Sequence, residues 1–160
     1  MSELTFVPSR DGFLEATTRG NVIPVYIDIV ADSETPVSAF RKICDDGDSF
    51  LFESAEQNEE SGRYSFLGIE PRVVLQADGR EMSLRRDGGD EVWETTAEPL
   101  AELQKLMAQY RFVPQLDLPR FAGGAVGFVG YDAVRFMEPS VPAPPRDELH
   151  LPDMIFMIMG

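Results

Sequence analysis

RVVLQADGREMSLRRDGGDEVWE, residues 72–94, alternates between extended apolar runs and turn residues. Strand-like segments fall at 72 to 77, at 81 to 86 and, more briefly, at 91 to 95. Asp78-Gly79 separates the first two, and Asp87-Gly88-Gly89-Asp90 separates the second from the third. Asp-Gly and Gly-Gly supply the positive φ that tight turns between antiparallel strands demand, so this spacing predicts successive hairpins. Upstream, residues 49 to 54 and 63 to 69 read as two more strands. Downstream, residues 98 to 110 read as a helix with Leu100, Leu103, Leu106, Met107 and Tyr110 along one side.

An earlier helix begins at Asp32-Ser33-Glu34-Thr35-Pro36. Thr35 is the expected N-cap and Pro36 the first helical residue, with acids near the positive helix end. Val37, Phe40 and Ile43 recur every three residues and so share a face. Gly47 is the expected left-handed cap that ends this segment. Residues 22 to 30 read as a strand or an extended arm, with Pro24 near its start or at an edge. The fold class expected is α+β: mainly antiparallel sheet with a few flanking helices.

At 160 residues the chain has room for one domain. Hydrophobic residues make up 43% and charged residues 26%, the profile of a globular protein. The formal net charge of −14 would repel nucleic acid and anionic membranes, so neither is an expected partner. Cys44 is the single cysteine, which rules out an internal disulfide and a cysteine-based zinc site and fits a reducing compartment. It follows a helical run and reads as a structural thiol. The first residues carry no basic stretch leading into an apolar one, and no segment approaches the roughly 20 apolar residues of a membrane span. A cytoplasmic location is the expectation. The run Met154-Ile-Phe-Met-Ile-Met159 reads as a strand buried on both faces. A domain rarely stops inside such a strand, so the chain reads as truncated.

Phe121-Ala-Gly-Gly-Ala-Val-Gly-Phe-Val-Gly-Tyr-Asp132 invites reading as a nucleotide loop. It lacks the GxGxxG spacing and the Gly-Lys-Ser/Thr of a phosphate loop, and no clear helix follows in the sequence. Glycines in an apolar strand fit close backbone packing or a bend better. Pro139 to Pro145 reads as a rigid loop. His150 has no second His or Cys near it in sequence, so it suggests neither a metal cluster nor a catalytic pair and reads as a boundary residue. No carboxylate pair announces a general acid and base.

The polar ends of the two upstream strands remain. Leu51-Phe52-Glu53-Ser54 leaves one strand and Tyr64-Ser65-Phe66 enters the next. A carboxylate, hydroxyls and apolar neighbours are the groups an amino acid ligand needs for its ammonium, its carboxylate and its side chain. The same groups can also simply satisfy loop backbone, and the residues alone leave both readings open.

Asn21-Val-Ile-Pro-Val-Tyr26, Glu34-Thr-Pro-Val-Ser-Ala-Phe40, Leu51-Phe-Glu-Ser-Ala55, Gly62-Arg-Tyr-Ser-Phe-Leu-Gly68 and Gly123-Gly-Ala-Val-Gly-Phe-Val-Gly-Tyr-Asp132 together resemble the N-terminal part of anthranilate synthase component I, in the same order and at similar separations. Leu151-Pro-Asp-Met-Ile-Phe-Met157 resembles that family's strand leading into its second half. The resemblance implies that residues 1–160 are the N-terminal region, an incomplete piece of a two-sheet sandwich whose C-terminal chorismate-binding region is absent. The full-length family converts chorismate and ammonia to anthranilate and pyruvate in tryptophan synthesis. Its Mg²⁺ ligands and catalytic residues lie in that absent region, so this chain alone would be inactive. A glutamine amidotransferase subunit is the implied partner, beside the chain's own C-terminal region, and L-tryptophan the implied effector. The family's Leu-Leu-Glu-Ser motif falls on Leu51, Phe52, Glu53 and Ser54, with Phe in place of the second Leu. The next strand's contribution falls on Tyr64 or its neighbours Arg63 and Ser65. The effector site implied is Leu51, Glu53, Ser54, Tyr64 and Ser65. The corresponding part of aminodeoxychorismate synthase is the nearest alternative, and a free-standing amino-acid-binding module another.

Overall fold

A computed structural model describes residues 5–53, 64–86, 89–96, 98–115, 118–119, 121–142, 147 and 149–160. Among these the α+β expectation holds, with helices beside two antiparallel sheets. The chain divides into two compact units, one made of residues 1–5 and 27–71 and the other of residues 6–26 and 72–160.

The larger unit grows from the stretch 72–94. β3 (Val73–Asp78) and β4 (Glu81–Arg86) pair antiparallel, and Gly79 turns between them at φ +59. The third strand, β5 (Gly89–Glu94), starts earlier than expected, because Gly89 and Asp90 pair with Arg86 and Arg85 instead of staying in the turn. β6 (Gly124–Val129) and β7 (Met154–Met159) complete a five-stranded sheet in the order β5-β4-β3-β7-β6. The apolar run at 154–159 is thus an interior strand, bonded to β3 on one side and β6 on the other. Its burial is less uniform than expected: Met154 and Ile158 are fully buried and the residues between them half-buried.

Period-two alternation sets the core. Leu75 lies opposite Leu84 and Phe156, and Ala77 opposite Met82 and Met154, so these side chains share one face with Val73 and Ile158. The helix α3 (Pro99–Met107) covers that face with Leu103, Leu106 and Met107, and Tyr110 follows them just past the helix. The helix is shorter than the expected 98–110, and Leu100, not among the residues packed on this core, is 42% exposed.

Thr95 fixes where α3 lies. It is buried directly after β5, and its hydroxyl donates to Glu102 Oε1 at 2.6 Å, while Lys105 Nζ meets the same oxygen at 3.0 Å. These two bonds, Thr95 first, hold the Glu102 carboxyl below its ordinary value of 4.5. The folded state therefore binds fewer protons than the unfolded one as pH passes this range. The contribution is complete above the unfolded value and is lost as pH falls through the lowered folded one. Glu34 and Glu138, also lowered by hydrogen bonds, act in the same direction. Urea midpoints followed from neutral into acid pH should fall below about pH 4.5. Glu102→Gln should reduce that fall and cost about 1 kcal/mol at neutral pH. An unchanged acid limb in the variant would contradict the role given to this carboxylate.

Asn21 clamps the arm at 22–30. Its Nδ2 donates to the Gln109 carbonyl at 2.8 Å and its Oδ1 accepts from Arg111 N–H at 2.6 Å. Along the arm, Val22 forms a parallel bridge with Phe112 and Tyr26 an antiparallel bridge with Val7, both outside the named strands. A helix that the sequence reading did not include, α1 (Arg10–Ala16), is capped by Ser9 Oγ, which accepts from Gly12 N–H.

The smaller unit holds α2 (Pro36–Ile43), β1 (Ser49–Phe52) and β2 (Phe66–Ile69). Thr35 and Pro36 occupy the expected cap and first position, and Ser38 completes a reciprocal capping box with Thr35. Glu34 reinforces it, accepting from Ser38 Oγ at 2.7 Å and pairing with Lys42. Gly47 is not a left-handed cap. The helix ends at Cys44 in an extended conformation, and Gly47 N–H donates to Asp45 Oδ1 at 2.8 Å in a local turn. Aspartate two residues ahead satisfied the backbone without a positive φ. Cys44 is half-buried, as a structural thiol would be.

Candidate functional site

β1 and β2 form a short antiparallel ribbon with Phe52 opposite Phe66 and Leu51 opposite Leu67. Glu53 and Ser65 are the next residues on either side, so the ribbon opens into the loop with these two facing the same end. The sequence made both polar at the point where ladder hydrogen bonds stop, and both are exposed. Ser54, and Arg63 beside the second strand, lie outside the described residues.

Alternation divides the remaining residues. Leu51 and Leu67 are on one face, and Phe50, Phe52 and Phe66 on the other. The Phe50 and Phe52 rings lie 5.1 Å apart, and the Tyr64 ring stacks on Phe66 at 6.0 Å. Tyr64 therefore belongs to the aromatic face and Leu51 to the opposite one. Glu53, Tyr64 and Ser65 gather at one end of the ribbon, while Leu51 sits one pair inside it. α2 lies against both strands, yet Val37 and Ile43 remain largely exposed. Among the described residues of this unit none of the apolar side chains is fully buried, and Phe52 and Tyr64 are about half exposed. These apolar side chains are thus only partly covered within the described residues of this unit.

The glycine-rich stretch shows what its glycines do. Gly127 in β6 lies opposite Phe156, and a Cβ there would come 1.9 Å from the Ile155 carbonyl oxygen. Close backbone approach is the reason for glycine at this position, as the sequence reading proposed. One part of that reading is corrected: a short helix does follow, as a 3-10 turn at Tyr131–Ala133 running into α4 (Val134–Met137). One turn of helix was too short to leave a periodic signature. Of the proline-rich segment, residues 139–142 are described and form a turn in which Val141 N–H donates to the Glu138 carbonyl at 3.1 Å, and residues 143–145 lie outside the described residues.

His150 is exposed at φ +49, with Nδ1 3.6 Å from Asp147 Oδ2. That places it at a surface turn, a boundary position. For Mg²⁺ the residues present do not fit: among the described ones no three His, Cys, Asp or Glu side chains are grouped so as to hold a metal ion. No described helix is long and apolar enough to cross a membrane.

Comparison with profiles of known protein families finds no match. Comparison with individual curated proteins does. The chain is 36% identical to anthranilate synthase component 1 of Pseudomonas putida over 152 residues, covering 94% of this chain and 31% of that protein. It is 42% identical to anthranilate synthase component 1 of Synechocystis, again over 94% of this chain and 30% of the other. Against the Saccharomyces cerevisiae protein of the same name identity is 36%, with 86% of this chain and 26% of the relative covered. The chain thus spans about three tenths of the length of the curated relatives it matches. These proteins carry the family that the motifs resemble.

Proposed function

We propose that this chain, similar to anthranilate synthase component 1 over nearly its whole length, is the N-terminal tryptophan-binding portion of such an enzyme. The whole enzyme would convert chorismate and glutamine-derived ammonia to anthranilate and pyruvate, with an amidotransferase subunit as ammonia source. The observation that carries the reading is the 42% identity across 94% of the chain. At that similarity, motifs in matching order imply a shared role.

The ribbon end supports the effector assignment. Glu53 offers a carboxylate to the ammonium of tryptophan, and Ser54 and Ser65 offer hydroxyls to its carboxylate. Leu51 lies one pair inside the ribbon end that leads to Glu53 and Ser65, and Tyr64 stacks on Phe66 there. Tryptophan bridging this end and the catalytic remainder would inhibit only as far as it binds one arrangement of the two better than another. The exposed aromatic face is consistent with a surface that another part of the enzyme covers. Mg²⁺ would be held by that remainder.

Ser54→Phe, made in the polypeptide extended to its relatives' length, should fill the site and weaken tryptophan inhibition about tenfold, the equivalent of roughly 1.4 kcal/mol. The inhibition curve of anthranilate formation measures this directly. Full inhibition of the variant at the wild-type tryptophan concentration would contradict the assignment.

A further inference from the structure

We draw no further inference here: the strongest candidate, the acidic cavity that Asp78, Asp132 and Asp153 line between the β3–β4 turn, the end of β6 and the approach to β7, rests on a cluster in which Asp78 and Asp132 are exposed to solvent, and nothing in the structure shows what covers it.

Discussion

Gly127→Ala should be the most destabilising single-methyl change in this chain. The added carbon would lie 1.9 Å from the Ile155 oxygen, 2.8 Å from the Ile155 carbonyl carbon and 2.8 Å from Phe156 Cα. All three are backbone atoms, so no rotamer change relieves the clash. β6 would have to part from β7, which is bonded to β3 on its other side. A shift of β7 would then disturb Met154 and Ile158, which pack with Leu75 and Met82 in the core. Overpacking of a core costs about 1–3 kcal/mol and occasionally more, and a clash with backbone belongs at or above the upper end. The expected loss is about 3 kcal/mol, read from the urea midpoint at constant slope. A wild-type midpoint would mean that β6 and β7 do not pair in this register.

Glu53→Gln should be the most damaging change to effector response. It keeps size and hydrogen-bonding capacity and removes only the charge that would face the tryptophan ammonium. Losing one partner of a hydrogen-bonded charge pair in a binding site costs about 2–5 kcal/mol. Glu53 is exposed in this chain, which sets the expectation at the lower end, roughly a thirtyfold rise in the inhibitory tryptophan concentration. Anthranilate formation measured against tryptophan concentration checks it. An unshifted curve would return Glu53 to a polar strand end with no part in effector binding.

The fold class was legible because its signals are local. Asp78-Gly79 between two alternating runs, and Thr35-Pro36 ahead of a three-residue apolar repeat, each contain their own physical cause. What the sequence hid depended on neighbours. Gly47 resembled a left-handed cap until Asp45 met its backbone N–H, and Gly89 resembled a turn residue until Arg86 paired with it. α1 carries few apolar residues, and α4 is one turn long, so neither produces a clear period.

The candidate site divides in the same way. Motif order picked out Glu53, Ser65 and Tyr64, which the ribbon places together at one end. That Tyr64 stacks on Phe66, on the face opposite Leu51, follows from register, which no motif encodes. The acidic cavity left no sequence signal at all. Asp78, Asp132 and Asp153 come together only through the sheet order that puts β7 between β3 and β6.

The most direct measurement is anthranilate fluorescence from chorismate and ammonium, with and without L-tryptophan, using this segment within a polypeptide of its relatives' length. The proposed function predicts anthranilate formation that tryptophan suppresses. Formation that tryptophan leaves untouched would contradict the effector role of the ribbon end, and aminodeoxychorismate in place of anthranilate would contradict the enzyme assignment itself.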